Sequence, residues 1–333
     1  MEHYQQYYEQ LATLSYRVIG PIVVLTGAGY IIGRRVPATA EVLAKILLYL
    51  LIPVFVFLNI LDASLGGAAY GTIILFSALV LVILWGAAWG VSRLRRHDPA
   101  LRGAFANTAI LYNSANFAIP VMALAFSLNP ADKAYAVAAQ VVVAACQGMA
   151  AYTIGAYVAA AGSGPMGRAT RRIIGLPLIY ALVAALVLKW TGVDGQAIAG
   201  ANVFWRAMAH VLGEAAKYIA QAYVPMALMT LGAQMACVKL VRAPLDLALS
   251  MVLRLAVGPL LALALVRIMG LEGLLAQVLI IGAAGPSAVA SVVVAIEFKN
   301  RPDFAASAVV LSTLGAGVTV PIVIFLAQQF ITQ

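Results

Sequence analysis

Groups that carry chemistry are scarce in this chain: among 333 residues there are three histidines, two cysteines and twelve acidic side chains. His3, His97 and His210 all fall in expected tails or loops, so no histidine-based catalytic or metal constellation forms within the apolar segments, and an enzyme is not expected. Cys146 and Cys237 lie within or at the end of apolar segments and read as small buried hydrophobes, not as a disulfide or metal site. A cleavable leader is not expected, because MEHYQQYYEQ has no basic start and runs into an apolar stretch without a clear small-residue cleavage site. A dinucleotide loop is missing too. "GAGYIIG", Gly27 to Gly33, is off that loop's spacing by a residue and follows no strand. In a membrane helix Gly29 and Gly33 read as a close-packing surface, as do Gly86 and Gly90.

What is present is apolar surface. Hydrophobic residues make up 64% of the chain and charged residues 10%, which marks an integral membrane protein, since a soluble domain of this length needs a polar exterior. The net charge of +9 is not gathered on one soluble face, so no nucleic-acid partner is expected. Windows of about 20 apolar residues, enough to cross a ~30 Å hydrocarbon core, recur along the chain. They give ten expected spans, at 11–33, 42–61, 70–92, 102–127, 133–161, 173–190, 217–238, 245–268, 273–296 and 304–330. The longer connection, 191–216, has helical spacing of polar and apolar residues and reads as a helix lying on the membrane surface.

Thirteen of the 21 basic residues fall in alternate loops: Arg34, Arg35; Arg93, Arg95, Arg96, Arg102; Arg168, Arg171, Arg172; Lys239, Arg242; Lys299, Arg301. Basic loops are cytoplasmic, which puts both termini on the extracytoplasmic side of a cell inner (plasma) membrane. Pro53 and Pro225, Phe126 and Phe298, and Pro130 and Pro302 are each 172 residues apart. That common offset divides the chain into a first five-helix repeat, 1–161, and a second, 162–333. Five is odd, so the second copy enters from the opposite side, an inverted repeat.

Against this background the fourth span is anomalous. It carries "NSANFAIP", from Asn113 to Pro120, and the same offset leads to "GAAGPSAVAS" in the ninth span, with Gly285, Pro286, Ser287 and Ser291. Broken helices are tolerated in a membrane where they line a protein-enclosed or watery cavity, and paired breaks point to a transporter's binding site. Tyr112, Asn113, Ser114, Asn116 and Pro120 on one side, and Gly285, Pro286, Ser287 and Ser291 on the other, are the candidate substrate-binding residues. Asn107, Thr108, Tyr112, Asn116, Ser287 and Ser291 are also able simply to join helices by hydrogen bonds, as are Gln140 and Gln147, seven apart on one face of the fifth span. Arg254, near mid-membrane in the eighth span with no acidic residue at its depth, is the remaining candidate, either attracting an anion or binding carbonyls of a broken helix.

"KILLYLLIPVFVFLNI", "NSANFAIPV" and "GPSAVASVVVAIEF" with "PDFAASAVVLSTLGAGVTVPIVIF" resemble the auxin efflux carrier family, which holds plant PIN transporters and bacterial malonate-permease-like carriers. The resemblance implies an all-α fold of ten helices with the fourth and ninth broken and crossing. It further implies a scaffold part from helices 1, 2, 6 and 7, a transport part from helices 3–5 and 8–10, and elevator-type or rocking alternating access. It implies secondary-active or facilitative movement of small organic carboxylate anions and a homodimer; no cofactor is expected, and the coupling ion, sodium or proton, is open, since the absence of a mid-membrane Asp or Glu counts against a proton relay and weakens sodium coupling. The step from Asn113 to Pro120 matches the family's, which makes Asn113 the expected carboxylate contact; plant members have a second proline where this chain has about Ser291. The alternatives are a sodium-coupled symporter of the related bile-acid branch and an anion channel.

Overall fold

The computed structural model describes residues 15–62, 65–160, 177–191 and 203–331. The amino end with His3, the basic loop of Arg168, Arg171 and Arg172, and the start of the 191–216 connection lie outside the described residues. The described chain is all-α. Its helices are α1 Tyr16–Arg35, α2 Thr39–Asp62, α3 Gly67–Leu94, α4 Pro99–Ile110, α5 Ser114–Ala125, α6 Pro130–Ala159, α7 Pro177–Trp190, α8 Val203–Ala236, α9 Pro244–Ile268, α10 Gly273–Ala283, α11 Val289–Glu297 and α12 Pro302–Gln329. Six of these, α1, α2, α3, α6, α9 and α12, are long and apolar enough to cross a membrane. The windows at 102–127 and 273–296 are each divided into two short helices, α4 with α5 and α10 with α11.

Helix starts follow from local chemistry. Asp98 accepts from Leu101 N at 2.9 Å ahead of Pro99, and Asn129 accepts from Ala131 N at 3.0 Å ahead of Pro130. A proline in the first turn lacks only an amide that would have no helical partner. The Leu101 amide, helped by the Arg301 guanidinium, holds the Asp98 carboxyl below its ordinary value. Prolines inside helices have a different consequence. Pro53 and Pro259 cannot donate to the turn before them, and each lies just beyond a five-residue π-helical stretch, Leu47–Leu51 in α2 and Leu253–Val257 in α9. The second stretch contains Arg254.

One correction concerns the connection before the seventh span. Val203–Ala236 is a single 34-residue helix with Pro225 inside it, so Phe204–Lys217 continues directly into the membrane segment. The amphipathic spacing is helical, as expected, but it carries no sign that the next helix begins without a break.

Packing separates the helices into two groups. α1 lies along α8, and α2 packs on α7 and α8, while α6 runs through the other group in contact with α3, α5 and α10. The α1–α8 contact is backbone to backbone. A Cβ on Gly29 would meet the Met229 carbonyl, one on Gly33 would meet Ala233, and one on Gly232 would meet the Thr26 carbonyl. Gly86 and Gly90, which have the same four-residue spacing, face open space instead. Small residues permit close approach but do not specify that a partner is present.

Three of the four described basic connections, those after α3, α8 and α11, converge at one end of the molecule. Arg301 pairs with Asp98 at 2.8 Å, and Asp246 receives both Arg95 and His97 at 3.1 Å. Val241 N donates to Ser307 Oγ at 3.0 Å in the same region.

Gly29→Ala and Gly232→Ala are expected to lower the melting temperature sharply, because backbone on the facing helix blocks the new methyl. Gly86→Ala and Gly90→Ala should leave it unchanged or raise it, with up to about 1 kcal/mol gained in helix propensity. Fluorescence-detected thermal unfolding of the four variants in one detergent checks the contrast; equal losses in both pairs would contradict the packing described.

Candidate functional site

In the two breaks the chain leaves the helix for a few residues, and backbone groups there need partners that lipid cannot supply. They find each other. Asn113 N donates to Pro286 O at 2.7 Å and Ala288 N donates to Leu111 O at 2.8 Å, with Tyr112 opposite Ser287 in an antiparallel bridge. Ser287 fixes the pairing further: its Oγ donates to Thr108 O at 2.7 Å and its amide donates to Ser312 Oγ at 3.1 Å. Thr108 Oγ1 is 2.9 Å from Ser250 Oγ, so α4, α9, α12 and the second break are joined around this point.

Arg254 closes the back of the crossing. It is fully buried; Nη1 donates to Ala109 O at 2.8 Å and Nη2 donates to Ala283 O. Ala109 and Ala283 are in the last turns of α4 and α10, where carbonyls have no helical partner and the helix dipole is negative. One guanidinium therefore serves the carboxyl-terminal ends of both interrupted helices. Its carbon is 4.9 Å from the centre of the Tyr112 ring, which adds a cation–π contact. Gly258 leaves the room, since a Cβ there would meet Nη2.

In front of the crossing is a cavity of about 260 Å³. The amino-terminal turns of α5 and α11 reach it through Ser114–Asn116 and Ala288–Ala290, together with Tyr112, Asn113 and Gln147. Helix amino termini favour negative charge. Asn113 caps α5 by accepting from Asn116 N at 3.1 Å, and its Nδ2, on a residue only 5% exposed, has no partner among the described residues. Behind the cavity wall Gln140 Nε2 donates to Ser114 O at 3.0 Å and Tyr223 OH donates to Ala115 O at 3.0 Å, so the α5 start is held from α6 and α8. A second cavity of about 270 Å³ shares Ala44 and Val289 with the first and extends to Glu41, Gln234 and Cys237, the last at the end of α8 that leads into a basic connection.

The candidate residues thus fall into separate places. Tyr112, Asn113, Ser114 and Asn116 line the cavity; Pro286 and Ser287 build the pairing behind it, and the Gly285 amide donates to Gly282 O at the end of α10. Ser291 donates to Ala288 O at 2.7 Å within the first turn of α11, and Pro120 is buried in α5; neither lines the cavity, and Arg254 does not either. Gln147 has a larger part than its sequence position suggests, with Oε1 3.4 Å from Tyr112 N on the cavity wall. Tyr223 has no sequence signal beyond its place in an apolar helix. The apolar wall contributed by Leu47, Leu48, Ile52 and Leu178 likewise looks like ordinary membrane sequence.

Residues 166–324 match a family model described as membrane transport protein, the auxin efflux carrier family. No curated protein matches the chain. The matched stretch includes α7 through most of α12 and therefore the second break, Arg254 and the helix ends it joins.

Arg254→Gln is expected to lower the melting temperature strongly, equivalent to about 3 kcal/mol or more, because two buried carbonyls lose a charged donor. Arg254→Lys should be nearly as damaging, since one ammonium lacks the planar fork that reaches both. Thermal unfolding of purified variants is the measurement; wild-type stability in both would show that the guanidinium does not hold the crossing together.

Proposed function

We propose that the chain, whose residues 166–324 match the family model of membrane transport proteins, the auxin efflux carrier family, is a secondary-active or facilitative carrier of small organic carboxylate anions. The carboxylate sits in the 260 Å³ cavity, against the amino-terminal turns of α5 and α11. The observation that carries this reading is the unpartnered, buried Asn113 Nδ2 at the cavity wall. A buried amide without an acceptor is destabilising unless something supplies one, and a carboxylate does so with a charge-assisted bond.

The cavity's chemistry limits the guest. Among the described residues its lining has two helix amino termini and neutral amides but no Lys or Arg. Such a site binds an anion through partial charges and directed hydrogen bonds, and it releases that anion more readily than a site built on a fixed cation. The surrounding aliphatic wall suits a short carbon skeleton. Arg254 supports the site from behind by tying the opposite helix ends, so its charge acts on the cavity across the Tyr112 ring and not by contact.

In the full proposal, α4 with α5 and α10 with α11 are the fourth and ninth of ten spans in two inverted repeats. Pro130 and Pro302, 172 residues apart, each open the helix after a break, which supports that repeat. The grouping of α1, α2, α7 and α8 supports a scaffold against which the remaining helices move. Convergence of the basic connections at one end supports a cytoplasmic face there and extracytoplasmic termini. The second cavity, reached past Ala44 and Val289, then leads from the site toward the cytoplasm.

A thermal-shift screen against mono- and dicarboxylates, with and without sodium, identifies the guest and any coupling to sodium, because a ligand of the folded state raises apparent stability. Asn113→Ala is expected to weaken binding of the best ligand by about ten- to a hundredfold, the effect of losing a hydrogen bond to a charged group. Its melting temperature without ligand should stay near wild type. Unchanged affinity in the folded variant would remove Asn113 from the site.

A further inference from the structure

A further cavity, unrelated to the crossing, lies on the outer surface of the molecule between α9, α10 and α12 and measures about 520 Å³. Its walls are aliphatic apart from Thr319, from Leu255 through Leu260 and Leu263 on α9 to Ile322 and Leu326 on α12. Leu260, Leu263, Ile322 and Leu326 are all exposed. At one end stands Arg267, in the last turn of α9, exposed and in no ion pair among the described residues.

The dimensions identify what fits. Leu255 adjoins Arg254 at mid-membrane, and the twelve steps from Leu255 to Arg267 rise about 18 Å at 1.5 Å per residue. Half of a ~30 Å hydrocarbon core is about 15 Å. The groove therefore runs the depth of a single leaflet, with its cation at headgroup level. An apolar groove one leaflet deep that ends in a cation matches a single lipid, with an acyl chain along the aliphatic wall and an anionic headgroup at Arg267.

We propose that this groove is a phospholipid site, with one acyl chain laid between α9 and α12 and the headgroup phosphate on the Arg267 guanidinium. The lipid comes from the leaflet opposite the basic connections, since Pro244 at the other end of α9 follows one of them. Arg267 supplies a planar fork suited to phosphate, and its aliphatic stem lies along the groove. The assignment is independent of the guest in the central cavity. It bears on the crossing all the same, because α9 and α10 carry Arg254 and Ala283.

The test uses the full chain, purified in mild detergent, stripped of lipid and titrated with dioleoyl phosphatidylglycerol under native mass spectrometry, with dioleoylglycerol as the phosphate-free control. One phosphatidylglycerol should bind per chain, at least tenfold more tightly than dioleoylglycerol. Arg267→Gln should lose that preference and Arg267→Lys should restore part of it. Leu263→Trp, which fills the groove while leaving the cation in place, should weaken phosphatidylglycerol binding at least tenfold, and Leu260→Trp is the alternative filler should that variant not fold. Wild-type affinity in Arg267→Gln or in a folded filler variant overturns the proposal. So does equal binding of the two lipids, or a filler variant that changes the oligomeric state and leaves lipid binding intact, which would make the groove an interface between copies.

Discussion

Two helices that stop in the middle of a membrane leave backbone groups with no water to receive them, and the rest of this structure is arranged to satisfy those groups. The amides and carbonyls of the two breaks pair with each other, from Asn113 to Pro286 and from Ala288 to Leu111. The carbonyl ends of α4 and α10 share one arginine. The amino ends of α5 and α11 are left at the cavity. Positive and negative helix ends are thereby sorted onto opposite sides of the crossing: a fixed cation serves the negative ends, and an open site faces the positive ones. The same constraint accounts for the burial of Ser250, Thr108, Ser287 and Ser312 together in an otherwise aliphatic region.

This division of labour is partly legible in the sequence. Asn113, Pro120, Gly285 and Pro286 announce the breaks, because asparagine, glycine and proline interrupt apolar windows that would otherwise form regular helices. Arg254 announces itself because a charge at that depth must have partners. The identity of those partners is not legible. Carbonyl oxygens occur at every residue, so nothing in the sequence distinguishes Ala109 and Ala283 from their neighbours. The cavity wall is hidden for a similar reason: Leu47, Leu48 and Ile52 face it, but an aliphatic residue reads alike against lipid, protein or a void. The glycine pairs make the point in miniature. Gly29 and Gly33 meet a helix and Gly86 and Gly90 do not, although their spacing is identical.

The connection before α8 shows the complementary limit. Its amphipathic pattern is helical, yet whether that helix is separate from its successor depends on the junction, and no proline or glycine pair marks one there. By contrast, the charge pattern carries over well into three dimensions. The described connections after α3, α8 and α11, grouped in the sequence only by alternation, meet through Asp98 and Asp246. Charge alternation survives because it answers to the membrane as a whole, whereas individual contacts answer to one neighbour.

The central claim is that the amino ends at the crossing bind a carboxylate. It is tested most directly by placing a cysteine at Ala290, on the cavity wall, in a protein whose Cys146 and Cys237 have been replaced, and measuring its alkylation rate in membranes. A carboxylate found in the ligand screen should slow that reaction at least tenfold, while the amide of the same acid should not. Equal rates with and without the carboxylate, or equal protection by the neutral amide, would contradict the account.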